Sequence, residues 1–396
     1  LFVVRNQLPQ GTILNRLVRL RDTNSEARLV QWSMALKGFK DNVLLGVGPE
    51  NYYVIFDKYY DPIMYKYDGS WFDKPHNFFL EVLVTNGLSG FVAYILMFLF
   101  AVYSLWRAYK IKLLGLLETC LLLAAVVSYQ VQNLFVFDTV SASIAFYAFL
   151  GLVAHLWTKP ILAPVLESEK NSAPKKSPAW LLAVLVTGFC YVVYITNITS
   201  IKASKGINYG MAYGTENPQA AFASFNSAQT AVFNLDPQQT ANYYSDFSSR
   251  LLSTNADKNF IAQQVDKATI NQRNIAEKIQ NDPILWMRLA INEMNQAIIH
   301  DKDIEVSKDS INKAVSLAPN RVELLQLYIQ LYGYKKDWAA AVPVAEEIVQ
   351  LNPYNPSLRW QLAMLFFLNK NIERAVLEGD KAVADGFKFS QLQQFT

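Results

Sequence analysis

Apolar and polar positions divide this chain into stretches of different character. Between Leu88 and Ile201, long uncharged runs alternate with short charged breaks. Leu88–Trp106 holds no charged residue and is long enough to cross a bilayer as a helix. Leu113–Phe137 is a second run, with Glu118 near one end and Gln130, Gln132 and Asn133 near the other. Ser141–Trp157 is a third, flanked by Asp138 and Lys159, and Trp180–Ile201 is a fourth, free of charge. Four membrane spans are expected. They must be helices, because backbone groups in lipid have to be satisfied within the segment.

Upstream, Glu26–Lys40 carries Leu29, Trp32, Leu36 and Phe39 at helical spacing, which predicts a helix with an apolar face. Leu45-Gly46-Val47-Gly48-Pro49 then reads as a tight turn. Past Ile201 the composition becomes that of a soluble helical segment. Asp282-Pro283, Ala318-Pro319 and Asn352-Pro353 recur at 36 and 34 residues, with Gly386-Phe387 at the next equivalent position. Ala341 and Ala375 are 34 apart, and Ala314, Ile348 and Ala382 follow the same spacing. Helix pairs with this period resemble tetratricopeptide repeats, in which small residues let the two helices approach and a proline stops the second. Asp236-Pro237 is a candidate end of an earlier, degenerate repeat. Stacked repeats make a concave face that binds a protein or peptide partner, or else form a rigid stalk; partner binding is the favoured reading. His300 falls in a repeat loop and is expected to be solvated.

At 396 residues the chain needs two or three units, and at 52% hydrophobic and 17% charged it is apolar for a soluble protein. The net charge of +3 is too small and too dispersed for a nucleic-acid binder. Cys120 and Cys190 both lie in apolar runs and imply neither a disulfide framework nor a zinc site. The chain opens at Leu1 within a polar segment, so it is expected to be the C-terminal portion of a longer protein with further spans upstream.

The loops orient the spans. Arg107, Lys110 and Lys112 separate the first two, and Lys159, Lys170, Lys175 and Lys176 separate the last two, whereas the middle loop has Asp138 and no basic residue. Basic short loops stay in the cytoplasm, so residues 1–87 and 202–396 should lie together on the outer face. The Pro-, Lys- and Ser-rich segment Lys159–Pro178 reads as a flexible connector. Gln130, Gln132 and Asn133 then end a span on the outer side. Polar groups there are functional candidates, although helix-to-helix hydrogen bonding is the favoured account.

The candidate chemistry lies in the outer loop. His76-Asn77 stands at the mouth of the first span, followed after nine intervening residues by Gly87, with Glu81 one helical turn beyond Asn77. An imidazole there can take a proton from a hydroxyl, and the Gly87-Leu88-Ser89-Gly90 step lets a surface helix bend into a spanning one. A structural histidine bonded to a carbonyl is the competing account, and the neighbouring Asn77, Glu81 and membrane mouth weigh against it. Arg16, Arg19, Arg21 and Arg28 are suited to a diphosphate, since the guanidinium fork donates to two oxygens and keeps its charge. Arg16 and Arg19 equally suit lipid phosphates at the interface. Arg28 lies one turn from Trp32 on an otherwise apolar face, where an anion partner is expected. The many aromatics between Tyr52 and Phe72 fit either sugar stacking or a headgroup belt, chiefly the latter. Asp57, Asp61, Asp68 and Asp73 lack calcium-loop spacing, and no metal is expected.

Arg28-x-x-x-Trp32, the Leu44-Leu45-Gly46-Val47-Gly48 turn and His76-Asn77 with Gly87 occur in the order found in the O-antigen ligase and polymerase family of bacterial membrane glycosyltransferases, which residues 19–157 resemble. The resemblance implies transfer of a glycan en bloc from undecaprenyl diphosphate to an acceptor hydroxyl, with no metal, cofactor or nucleotide sugar. It implies that His76 activates the acceptor and that Arg28 holds the diphosphate, with Arg21, Trp32, Asn77 and Glu81 as further substrate-binding candidates. The expected fold is all-α: an outer loop (1–87), three spans of a GT-C-like polytopic bundle (88–157), a cytoplasmic linker (158–179), a fourth span (180–201) and a tetratricopeptide-like α-solenoid (202–396). The expected place is the bacterial cytoplasmic membrane. The acceptor is a lipid-core sugar (ligase), another glycan (polymerase) or a protein (O-oligosaccharyltransferase). A membrane-anchored repeat scaffold with an idle site is the non-enzymatic alternative.

Overall fold

The structure is a computed structural model and describes residues 23–67, 69–169, 179–230 and 237–388. These residues form helices and no strands. The chain divides into two compact units, Leu1–Lys176 and Ser177–Thr396.

The first unit begins with a small helical cap. Helix α1 (Thr23–Phe39) packs on α2 (Tyr52–Lys58) and α3 (Met64–Tyr67). Ala27, Met34 and Ala35 of α1 meet Tyr52, Ile55 and Phe56 of α2 and Met64 of α3 in one core. Full burial of a large apolar side chain contributes about 1.5–3 kcal/mol, so these few residues hold the cap together. The buried face of α1 differs from the expected one: Leu29 and Leu36 are exposed, and Trp32 and Phe39 are half-buried. The reason is the partner. At Gly38 an added Cβ would lie 2.1 Å from Ile55 Cγ2, so α1 presents its small residues and Met34 where α2 approaches.

Helix α4 (Phe78–Lys110) leaves the cap, α5 (Leu116–Asn133) returns, and α6 (Val140–Glu169) follows. Tyr94 of α4 donates to Gln130 of α5, and the turn after α4 is closed by Leu113 N–H to Ala108 O, so α4 and α5 are antiparallel. Phe98 lies against Phe146, and Phe100 and Tyr103 against Trp157, so α6 runs parallel to α4. Apolar contact among Phe98, Leu105, Val126, Phe146 and Val153 forms the interior. Arg107 lies over the Trp157 ring at 4.5 Å, near the end that also carries Lys110, Lys112 and Lys159.

Among the described residues, three helices are long and apolar enough to cross a membrane: Phe78–Lys110, Val140–Lys159 and Trp180–Glu216. The second expected span, α5, is not among them: it is 18 residues long and loses apolar character at Gln130, Gln132 and Asn133, yet it traverses the bundle in reverse between α4 and α6. The connector expected from Lys159 is helical as far as Glu169. The lysine interrupts the apolar run without ending the helix. Lys170, Lys175 and Lys176 lie outside the described residues.

In the second unit, α7 (Ala179–Val193) continues through a π-helical turn, Tyr194–Ile198, into α8 (Thr199–Tyr213). The expected end at Ile201 is therefore inside a helix; only the side-chain character changes there. Gly206 and Gly210 let α8 lie close on α9 (Pro218–Gln229), where a Cβ would come within 2.7 Å of Ser224 O or 2.6 Å of the Phe225 ring. Then come α10 (Pro237–Leu251), α11 (Lys258–Lys278), α12 (Pro283–Ile299), α13 (Lys308–Leu317), α14 (Val322–Tyr334), α15 (Trp338–Leu351), α16 (Pro356–Leu368) and α17 (Ile372–Ala384). Of the positions at the repeat spacing, Ala314, Ala341, Ile348 and Ala382 are buried, whereas Ala375 is half-buried. The prolines divide into two kinds. Pro319 and Pro353 follow the ends of α13 and α15, but Pro283 opens α12, with the Asp282 carboxylate accepting from Ile284 N–H. A first-turn proline costs nothing because its missing N–H would have no helical partner. Pro237 likewise begins α10, while Asp236 lies outside the described residues. His300 is not simply solvated: its Nε2 lies 2.9 Å from Asp266 Oδ1. Cys120 and Cys190 are free and exposed.

Candidate functional site at the mouth of the first span

The site is organised by a break in α4. Gly87 has φ 67 and ψ −170, far from helical. That break opens the backbone pairing around it, and the turn between α1 and α2 fills the opening. Val47 N–H donates to Val84 O (3.1 Å) and Gly48 N–H to Thr85 O (2.8 Å). In the other direction Leu88 N–H donates to Val43 O (2.8 Å) and Ser89 N–H to Leu44 O (3.2 Å). The two backbones touch: a Cβ on Gly87 would lie 2.4 Å from Leu44 O, and one on Gly46 would lie 2.5 Å from Thr85 O. Two glycines with positive φ thus interlock, satisfying polar groups that a kink would otherwise strand.

His76 sits just before α4. Its φ is 52, a left-handed conformation uncommon for a non-glycine residue, though histidine adopts it more often than most. Asn77 is the N-cap, its Oδ1 accepting from Leu80 N–H at 3.1 Å. On the other side, Trp32 Nε1 donates to Pro75 O at 3.0 Å. The imidazole is half-buried and lies between two aromatic edges, Phe72 at 5.6 Å and Phe137 at 5.5 Å. Phe72 belongs to the cap, packing on Phe56 at 5.5 Å, and Phe137 follows α5. His76 is therefore held where the cap and the bundle meet.

Lys74 supplies the local charge. Its Nζ is 3.4 Å from Glu81 and 3.3 Å from Glu50, and it lies 5.8 Å from the centre of the Phe137 ring that also faces His76. Burial would lower the pKa of Lys74, but Glu81 and Glu50 outweigh it and hold the ammonium above its ordinary value. Phe137 is fixed by the next residue, because Asp138 accepts from both Tyr129 (2.8 Å) and Ser143 (2.8 Å).

The structure brings Trp32, His76, Asn77 and Glu81 together. Glu81 is buried and engaged by Lys74. Arg28 lies one turn before Trp32 on α1, half-buried and in no ion pair among the described residues. It is less enclosed than the apolar-face reading required, so solvation lightens the need for a fixed anion partner. Arg16, Arg19 and Arg21 lie outside the described residues. Sequence reasoning missed Lys74 and Phe137. Lys74 had a signal, a cation two residues before His76 with an acidic residue one turn into the following helix. Phe137 had none, because sixty residues of chain separate it from His76. Among the described residues no cluster of histidine, cysteine and carboxylate side chains is arranged to hold a metal.

The class defined by these features is an all-α membrane protein whose polar cap is locked onto the head of an apolar helix. Residues 2–95 match the family model described as O-antigen ligase, a segment that includes Arg28, Trp32, the 44–48 turn, His76 and Gly87. No curated protein matches the chain. Among solved structures it is similar to one described as "Crystal structure of MamA protein", at 10% identity and a TM-score of 0.35, covering 46% of this chain and 91% of that one.

Proposed function

We propose that this protein transfers a glycan en bloc from a polyprenyl-diphosphate carrier to an acceptor hydroxyl at the outer surface of a bacterial cytoplasmic membrane, as a ligase or polymerase of surface polysaccharide. The reading rests above all on His76. A left-handed histidine at the N-terminus of an apolar helix, braced from α1 through Trp32 and Pro75, lies within the segment that matches the O-antigen ligase model. Left-handed backbone at a mouth of this kind supports a functional reading of the residue that adopts it.

In this mechanism the acceptor oxygen attacks the anomeric carbon while His76 takes its proton, and the bond to the diphosphate breaks. Charge grows on the departing diphosphate. Arg28, with Arg21, supplies guanidinium groups whose planar forks stabilise it. Neither step calls for a metal. Trp32 and Asn77 keep the imidazole in place, and Glu81, held by Lys74, lines the same mouth as a further substrate-binding candidate. The repeat arm, on the same side of the membrane, presents or recruits a protein partner.

A deletion strain tests this. The account expects one surface glycoconjugate to disappear and its lipid-linked precursor to accumulate, with the wild-type gene restoring both and a His76→Asn gene restoring neither. Rescue by His76→Asn together with failure of a chain lacking residues 202–396 would establish the scaffold reading instead.

A further inference from the structure

The turn that locks into α4 carries its side chains outward. Leu44 and Leu45 are 70% and 77% exposed, and Val43 is 41% exposed. No charged residue occurs between Asp41 and Glu50. Isolated exposed leucines need no account, but a contiguous apolar run pinned rigidly to an apolar helix does. The run is pinned by Leu88 N–H to Val43 O, by Ser89 N–H to Leu44 O, and by Ser89 Oγ, which donates to Leu44 O at 2.8 Å. It therefore stands at the head of a stripe of exposed residues on α4, namely Leu88, Val92, Leu96, Leu99 and Tyr103. Spaced at three and four, these share one helical face, and in a spanning helix that face meets lipid.

We propose that Val43–Leu45 is a membrane wedge: the turn inserts its leucines among the acyl chains of the leaflet beside Leu88, seating the cap on the bilayer. The occupant is lipid because the surface continues the exposed apolar face that α4, long and apolar enough to cross a membrane, presents along Leu88–Tyr103. Helix geometry sets the scale, since the half-helix from Phe78 to Asn86 between His76 and the kink is about 13 Å long. The wedge would fix the depth of Gly87 and so hold His76 at a set height against a lipid-borne headgroup. Glycan transfer is not required for this inference, and its test does not use activity.

The experiment places an environment-sensitive fluorophore at single cysteines in the full chain, after Cys120→Ser and Cys190→Ala, in phosphatidylcholine vesicles with and without brominated acyl chains. Leu45→Cys and Leu44→Cys report on the wedge, Val92→Cys on the lipid-facing stripe and Lys302→Cys on the aqueous arm. The expected result is a blue-shifted label at 44 and 45 that bromolipid quenches at least about threefold more than the label at 302, as for the label at 92. Quenching at 44 and 45 no greater than at 302, while the label at 92 is quenched, overturns the proposal. So does a blue-shifted label at 45 that bromolipid leaves bright and dilution with unlabelled lipid turns red, since a second copy of the chain would then be the occupant.

Discussion

Gly87→Ala should uncouple the cap from the membrane bundle. The native φ and ψ at this position suit glycine alone, and holding alanine there costs about 1–3 kcal/mol. The new Cβ would also lie 2.4 Å from Leu44 C and O and 2.5 Å from Leu45 N, all backbone atoms with little freedom to move. If the kink persists, the turn must retreat and lose the bonds from Leu88 and Ser89, another ~1–3 kcal/mol at typical net values. If the helix straightens instead, all four inter-segment bonds are lost, ~2–6 kcal/mol, partly offset by bonds regained within the helix. Either route disfavours docking by roughly 2 kcal/mol or more, about a thirtyfold shift in the docked population. Trypsin cleavage after the exposed Lys40, at the α1–turn junction, reads that population when opening is fast relative to cleavage. In vesicles Gly87→Ala should be cut about thirtyfold faster than wild type and should lose transfer. Gly151→Ala, where a Cβ meets nothing within 4 Å, should change neither. Wild-type cleavage and transfer in Gly87→Ala would refute the interlock.

Further expectations follow from single contacts. Trp32→Phe keeps the packing but removes the 3.0 Å bond to Pro75 O, so stability should fall by about 0.5–1.5 kcal/mol while transfer slows out of proportion; equal effects in both assays would argue against a bracing role. Asn77→Ala removes the N-cap of α4 and should cost about 0.5–2 kcal/mol, and Asn77→Ser should restore thermal stability; a serine variant as unstable as alanine would discount the cap. In the repeat arm, burial holds the Asp282 carboxyl above its usual 3.8 against opposing hydrogen bonds from Ile284 and Leu285 N–H, the Arg288 charge and the Gln238 amide. Its folded form thus binds a proton more tightly than its unfolded form. Relative to Asp282→Asn, wild-type stability should fall as pH rises from 3.8 through the folded pKa; parallel denaturation curves across that window would contradict it.

The fold class was legible because uncharged runs of span length admit few alternatives, and the repeats because small residues recur where helices must touch. Which face of α1 turns inward was not, because it is decided by Tyr52, Ile55 and Phe56 arriving from a later helix, with Gly38 admitting them. Period alone ranks Leu29 and Leu36 above Ala27 and Ala35. The glycine turn and Gly87 were each readable as a bend, but nothing local says that each completes the other's backbone. At the site, His76 and Asn77 stood out through their place before an apolar run. Lys74 and Glu81 could be paired locally, but adding Glu50 needed the fold, and the Phe137 contact needed the return of α5 to the mouth.

His76→Asn provides the most direct test of the central claim, because asparagine tolerates the left-handed backbone but has no basic nitrogen. The measurement is the rate of glycan transfer by reconstituted full-length protein from a lipid-diphosphate-linked donor. The account predicts a loss of about 10²–10⁴-fold with insertion and the tryptic pattern unchanged. Transfer within a few-fold of wild type by a correctly inserted His76→Asn protein would contradict it.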